Sequence, residues 1–270
     1  MIDHNPEFAF VDRLEYPRYN TPDFEWYFIS TVNQPYDVQR NLIPVTFTAF
    51  YKKHNFGQDQ SAIQRLQEYL NRLDPRKKWY AIIQYDDNIL NNIDHLDVKV
   101  FSMSSGRCDY PLPLISQPYP FDFGNIVKDI KCSFVGRPTH PIRERILGMQ
   151  PPHGWYIRSN HHEPQNYCSV MARSIFSLCP RGYGPNSFRI KESLQYGSIP
   201  IVISDSFNHP HNINFLQYGL VVPEKEVDLI PLIIENYNQS DIDRLWERGK
   251  EIFRDYYTFE NCRKLILQNL

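Results

Sequence analysis

Between Pro180 and Asn186 the chain reads PRGYGPN, with two prolines and two glycines in one short stretch. Only a tight loop accommodates that composition. Arg181, Gly182 and Tyr183 lie within the loop, Ser187 follows it, and Arg189 and Glu192 come next. Ser187 is a good N-cap for a helix starting at Phe188. A helix start of this kind brings backbone N–H groups and the positive end of a helix dipole to one place, and Arg181 and Arg189 add full charge there. Phosphate is the ligand such an arrangement attracts. Glu192, one turn into the helix, is placed to accept hydrogen bonds from sugar hydroxyls. The chemistry read from these residues is a phosphate-and-ribose cradle. A glycine-rich strand-to-helix turn also occurs without any ligand, and this loop is neither GxGxxG nor a Walker loop. The residues alone leave both readings open.

The elements that must position them are legible on either side. Ser174–Cys179 is a short apolar run that reads as a buried strand, Phe188–Tyr196 as a helix ended by Gly197, and Ile199–Ser204 as a second buried strand. A strand–loop–helix–strand unit of this length pairs its strands in parallel and sets the loop at the carboxyl edge of a sheet, where open α/β sheets bind ligands. The same alternation runs upstream and downstream: a strand over Ile130–Val135, a helix over Ile142–Leu147, a strand over Gly154–Ile157 and a helix over Pro164–Arg173. A short strand at Leu220–Pro223 and helices over Val227–Asn238, Asp241–Arg254 and Phe259–Leu270 follow. In the first half, Trp26–Ser30, Pro44–Tyr51, Trp79–Gln84 and Val98–Met103 read as strands. Ser61–Leu73 carries a helical stripe of Ile63, Leu66, Tyr69, Leu70 and Leu73. Asp109–Gly124, with four prolines, reads as a linker or long surface segment. Strands alternating with helices in both halves predict an α/β protein with parallel sheets.

Pro180, Gly182, Ser187, Arg189, Glu192, Gly197, Ile199 and Pro200, with Ile201 in the place of the usual Val, together resemble the signature of exostosin-like glycosyltransferases, family 47. The chain is similar to small soluble members of that family encoded by large algal viruses. The resemblance covers roughly Lys128 to Leu270 and is faint before it. It implies two Rossmann-like lobes facing a cleft, the glycosyltransferase B architecture, with a compact N-terminal lobe over 1–125. A nucleotide-sugar-binding lobe would span 126–257, and a terminal helix over 258–270 would cross back to the first lobe. Ser133–Arg137 is similar to the first strand and donor loop of the family's C-terminal lobe, which would let Arg137 clamp a diphosphate bidentately. The activity implied is inverting, metal-independent transfer from a UDP-sugar, with a weak lean to UDP-xylose, to an oligosaccharide or glycoprotein glycan. An inverting enzyme needs a base for the acceptor hydroxyl. Asp86 and Asp87, directly after the strand Trp79–Gln84, meet that requirement, with Asp86 ahead and Asp37, His54 and Asp109 in reserve. A turn aspartate bonding its own backbone is the competing reading.

The 270 residues, 41% of them apolar, allow one large domain or two small ones. A net charge of -2 offers no basis for nucleic acid or an anionic membrane as partner. The five cysteines are odd in number, show no CxxC and read as reduced core thiols. No apolar stretch approaches the ~20 residues of a membrane span. The chain therefore reads as cytosolic, with the viral likeness pointing to a virus-infected host cell, or as cut from an anchored form. Asn160–Glu163 and His209–His211 lack metal-site spacing, and the latter is a candidate lining of the donor-sugar pocket. Asp241 and Asp243 read as helix-start acids, so no metal or other cofactor is expected. Two alternatives stand: a non-catalytic glycan-binding or capsid-associated protein on a transferase-like fold, and a dinucleotide-dependent oxidoreductase with Asp205 on the ribose.

Overall fold

A computed structural model describes residues 4–11, 23–32, 39–104, 106–159, 163–210 and 213–270. The chain divides into two units, Met1–Gln117 with Phe259–Leu270, and Pro118–Thr258. Each unit is α/β and built on its own parallel sheet.

The first unit opens with helix α1 (Phe24–Thr31), strand β1 (Asn41–Leu42), helix α2 (Phe47–Lys53) and helix α3 (Gln60–Asn71). Strands β2 (Lys78–Ile83), β3 (Asp97–Ser102) and β4 (Tyr110–Pro111) follow, and the sheet order is β1-β2-β3-β4, all parallel. Two expectations fail here. The aromatic run Trp26–Ser30, which reads as a strand, lies in α1. Asp23 caps that helix by accepting from the Trp26 amide at 2.8 Å, and Phe24 and Phe28, four residues apart, are wholly buried on it. Pro44–Tyr51, expected as a strand, is extended only at its start and then turns into α2. Glu25 meets the first turn of that helix, accepting from the Thr48 amide at 2.9 Å and the Thr48 hydroxyl at 2.7 Å. The expected linker holds the boundary between the units, at Gln117 and Pro118, but is corrected over its first half. Tyr110–Pro111 is an edge strand, the position in a sheet that tolerates proline, and Leu112, Leu114 and Ile115 behind it are buried.

In the second unit the observed elements lie close to those expected: β5 (Ile130–Gly136), α4 (Pro141–Gly148), β6 (Trp155–Ser159), α5 (Pro164–Arg173), β7 (Ser174–Pro180), α6 (Phe188–Gln195), β8 (Ile199–Ile203) and β9 (Leu220–Val222). Helices α7 (Ile230–Glu235) and α8 (Gln239–Tyr256) complete it. The sheet order is β6-β5-β7-β8-β9, all parallel. The chain steps outward from β5 to β6 and then returns to place β7 on the other side of β5. The carboxyl ends of β5 and β7 therefore flank a topological switch point, where doubly wound sheets open a crevice. The core beneath is aliphatic and aromatic, with Phe134, Leu178, Ile201, Ile203 and Ile146 fully buried. The last helix, α9 (Phe259–Gln268), belongs to the first unit, where Phe259 packs 5.3 Å from Phe24 and Glu260 accepts from the Tyr27 hydroxyl. No helix among the described residues is long and apolar enough to cross a membrane.

Candidate functional site

The switch point gathers most of the residues singled out in the sequence. Val135 and Gly136 end β5, with Arg137 exposed just beyond them. Pro180 ends β7, and the loop 181–186 leads to Ser187, whose hydroxyl caps α6 by accepting from the Arg189 amide at 3.3 Å. The loop is anchored at its root by the Arg181 amide, which donates to Ile203 O on β8 at 3.0 Å. Among the described residues, the next three amides, of Gly182, Tyr183 and Gly184, make no backbone hydrogen bond. Tyr183 stands 78% exposed on this loop. The Arg181 guanidinium folds back over the loop, donating to Tyr183 O at 3.1 Å and Ser206 Oγ at 3.3 Å, with Glu224 at 3.8 Å.

A residue the sequence reading missed holds this loop in shape. Arg143, on α4, donates from Nε to Arg181 O at 2.7 Å and from Nη2 to Pro180 O at 3.1 Å. It grips two successive carbonyls and so directs the following amides the other way. A Cβ on Gly182 would come within 3.3 Å of Arg143 Nη2, which is why the position suits glycine. No local pattern marks Arg143 among the charged residues of its helix. Its role exists only when α4 meets the loop.

Arg189 takes a different position from the one its sequence context suggests. Its guanidinium is turned inward and the residue is only 8% exposed. Nη2 donates to Val135 O, while the plane lies 4.8 Å from the Phe134 ring centroid and 5.7 Å from that of Tyr167. Nε is buried and meets no partner among the described residues. The same guanidinium crowds Gly136, where a Cβ would stand 3.0 Å from Nη2 and 2.9 Å from the Phe134 ring. Glu192, one turn along α6, accepts from the Tyr167 hydroxyl at 2.6 Å. Burial pushes the Tyr167 phenol well above its ordinary range, so it remains a donor to that carboxylate. Glu192 is thus engaged with α5 at one oxygen, and the sequence held no sign of Tyr167 as its partner. His209 packs 4.7 Å from Phe207, and its neighbour Asn208 donates to Asn186 Oδ1, which joins that segment to the loop.

Asp86 and Asp87 sit at the carboxyl end of β2, in a turn closed by the Asn88 amide donating to Tyr85 O at 2.9 Å. Asp86 is half-buried and Asp87 exposed. Asn88 adopts φ 65° and is held by its side-chain amide on Arg107 O, which fixes the turn. The same strand end carries a carboxylate that sequence reasoning passed over. Glu25, 1% exposed, accepts from the Gln84 amide at 2.7 Å as well as from Thr48. Burial, with Asp23 nearby, raises its carboxyl to about 8. Of the reserve residues, His54 is bonded to Asp59 at 3.2 Å and Asp109 accepts from the Val100 amide at 2.7 Å, both local structural roles. Asp37, His161, His162 and His211 lie outside the described residues.

Asp205 accepts from the Glu224 amide at 2.9 Å and so caps the segment Glu224–Leu229, which is the use the structure makes of the acid that a dinucleotide site would need. Asn238 caps α8, and Asp241 lies in its first turn. Among the described residues no group of three or more His, Cys, Asp or Glu side chains gathers as a metal site would require. All five cysteines are free thiols, four of them buried.

Residues 128–237 match the exostosin GT47 domain. The chain is 40% identical over 91 residues to a probable glucuronosyltransferase of Oryza sativa subsp. japonica, a stretch covering 32% of this chain and 21% of that protein. It is 30% identical over 100 residues to an exostosin-1 homolog of Caenorhabditis elegans, covering 36% and 26%. A probable glucuronoxylan glucuronosyltransferase of Arabidopsis thaliana is 32% identical over 88 residues, covering 32% and 19%. The matched stretch is therefore about a quarter or less of each of these relatives. Among solved structures, TarM matches 77% of this chain and 53% of its own at 9% identity, with a TM-score of 0.45. The pneumococcal O-GlcNAc transferase GtfA, in complex with UDP and GlcNAc, matches 78% and 53% at 11% identity, with a TM-score of 0.43.

Proposed function

From the premise that residues 128–237 are an exostosin-like, family 47 glycosyltransferase domain, we propose that the chain transfers a sugar from a UDP-sugar to a glycan acceptor, with inversion and without a metal. The observation that carries this reading is the loop 181–184 at the switch point. Among the described residues three successive amides there make no backbone hydrogen bond, Arg143 grips the carbonyls before them, Arg181 lies in the loop, and Arg137 follows the end of the neighbouring strand β5. A diphosphate is the ligand that such a row of donors and cations suits. When the glycosidic bond to the diphosphate breaks, negative charge develops on the leaving group. Fixed N–H dipoles and guanidinium groups stabilise it without reorganising.

The acceptor hydroxyl must also lose its proton, and we assign that step to Asp86 or Asp87, the accessible carboxylates at the carboxyl edge of the first unit's sheet. The inward turn of Arg189 gives it a supporting part in this scheme. It ties α6 to the end of β5 and props Gly136, so that Arg137 leaves the strand at a defined point. Glu192, bonded to Tyr167 one turn along α6, is the residue we assign to a ribose hydroxyl in the same scheme. UDP-xylose is the donor we would try first, on the likeness to the small viral members. A cytoplasmic location, which that likeness also suggests, is part of the same proposal.

The direct test is release of UDP when the purified chain is offered UDP-xylose, UDP-glucuronate, UDP-galactose and UDP-N-acetylglucosamine in turn, with and without EDTA. Release from one donor, undiminished by EDTA, is the expected result. No release from any donor, together with glycan binding that UDP does not affect, would support the non-catalytic alternative instead.

A further inference from the structure

At the opposite, amino edge of the second unit's sheet lies a cavity of about 210 Å³. Its walls are Ile175 at the start of β7, Ile199 at the start of β8, and Ile242 and Trp246 from α8. The polar groups are Lys128, ahead of β5, and Gln239 and Asp243 from the first turns of α8. Nothing in the proposed transfer reaction uses it.

Lys128 is the informative residue. Its ammonium donates to Tyr196 O at 3.1 Å and Gly197 O at 2.8 Å, closing the carboxyl end of α6. An ammonium has three donors, and the third has no partner among the described residues. Burial and the nearby Lys250 press this group down to about 8, and among the described residues no carboxylate is paired with it. Lys250 itself is taken up elsewhere, 3.4 Å over the Trp246 ring and 2.9 Å from Glu247. The other charge at the cavity, Asp243, is exposed at the mouth and accepts from the Gln239 amide at 2.8 Å. The cavity thus offers a cationic donor at one end, a carboxylate and an amide at the other, and an aliphatic and aromatic wall between.

Drug-sized ligands occupy pockets of roughly 300–1,000 Å³, so this one holds about a single ring. A bare anion would satisfy Lys128 but leave the apolar wall and the polar mouth unmatched. A neutral polyol would match the mouth but leave the ammonium without its counter-charge. We propose that this cavity binds a small hydroxylated carboxylate of about one sugar-acid ring. Its carboxylate meets Lys128 Nζ, its hydroxyls meet Asp243 and Gln239, and its C–H face lies against Ile242 and Trp246.

Sodium D-glucuronate is the probe, with D-glucose and sodium acetate as partial mimics at matched ionic strength. Binding to the full chain is read by calorimetry and by the Trp246 indole N–H resonance, assigned through Trp246→Phe. Glucuronate is expected to bind saturably and shift that resonance, with glucose and acetate at least about tenfold weaker, the worth of one charge-assisted hydrogen bond. Lys128→Met should abolish binding. Because Lys128 also caps α6, the exposed Gln239→Ala variant is measured beside it. That variant should weaken glucuronate about threefold or more at an unchanged melting temperature. Saturating UDP should leave the glucuronate signal in place. The proposal is overturned if acetate or glucose binds as well as glucuronate, if the indole resonance does not move, or if UDP displaces the probe. It is equally overturned if both variants bind as the wild type does.

Discussion

At the carboxyl edge of the first unit's sheet, Asp86 and Asp87 lie in an open turn while Glu25 is sealed against α2 and the end of β2. At the carboxyl edge of the second unit's sheet, Arg137 and Arg181 reach solvent while Arg189 is sealed between Phe134 and Tyr167. Each edge therefore carries accessible charge of one sign beside a buried ionisable residue of the same type. The type is acidic in the first unit, where Glu25 keeps its proton up to about pH 8, and basic in the second. The two buried groups are not equally well served. Glu25 receives three hydrogen bonds, two of them from backbone amides, yet has Asp23 as a like-charged neighbour. Arg189 has one carbonyl, two ring faces and the nearby Glu192 and Tyr167, and its Nε meets no acceptor among the described residues. A buried charge left partly unmet costs stability. The comparison teaches that an ionic residue near a ligand edge can hold the frame while its exposed neighbours of the same sign do the chemistry.

The sharpest way to break this division is to remove the accessible acids. Asp86→Asn and Asp87→Asn, made singly, should leave UDP affinity and melting temperature near the wild type. Turnover should fall by about 10²–10⁴-fold in the variant that lacks the base. Asp86 is half-buried and Asp87 exposed at the two central positions of the turn, so the two differ in access and one variant should be nearly silent. If both turn over normally, the accessible charge of this edge has no part in proton transfer.

Arg189→Ala tests the buried tier. A solvent-facing phosphate clamp would leave the apo protein unaffected by this change. The observed guanidinium predicts instead a loss of about 2–4 kcal/mol of apo stability, from an orphaned Val135 carbonyl and a void against Phe134. Arg137→Ala should barely move the melting temperature, yet it should remove much of the stabilisation that UDP confers, about 2.7 kcal/mol at a hundredfold excess over Kd. Denaturant melts with and without UDP decide the matter, and an unchanged apo midpoint for Arg189→Ala would contradict the division.

The smallest effect expected is a slope. Glu25 has its folded-state carboxyl raised from 4.5 to about 8. Between those values the folded protein holds a proton that the unfolded chain has released. This contribution is thus fully present below the unfolded value and is lost as pH rises toward 8, by at most about 1.4 kcal/mol per pH unit. Glu25→Gln should flatten that slope in urea melts taken across the window. A slope that persists unchanged in the variant would place the titration on another group.

The second unit was largely legible because its strands are apolar runs punctuated by glycine and proline, and its helices carry local caps such as Ser187 and Asn238. Those signals act within a few residues of one another and need no distant partner. In the first unit the same reasoning misread α1 and α2. The aromatic side chains of Trp26–Ser30 fit a pleated surface as readily as a helix face. What selected the helix was the Asp23 cap together with burial of Phe24 and Phe28.

By itself, then, the sequence determined the α/β alternation, the parallel pairing in the second half, the loop at 180–186 and its likeness to family 47. All of these follow from local pattern and chain connectivity. Only the tertiary structure decided which charges face solvent. Arg189 turns inward because Val135 offers a carbonyl and Phe134 and Tyr167 offer their faces. Arg143 grips the loop because α4 ends up beside it, and Glu25 is buried because α2 begins where β2 ends. Each partner lies 22 to 59 residues away in sequence, in segments that share no local signal. The free energy of a buried charge is set by what surrounds it in space, which residue type and spacing do not record.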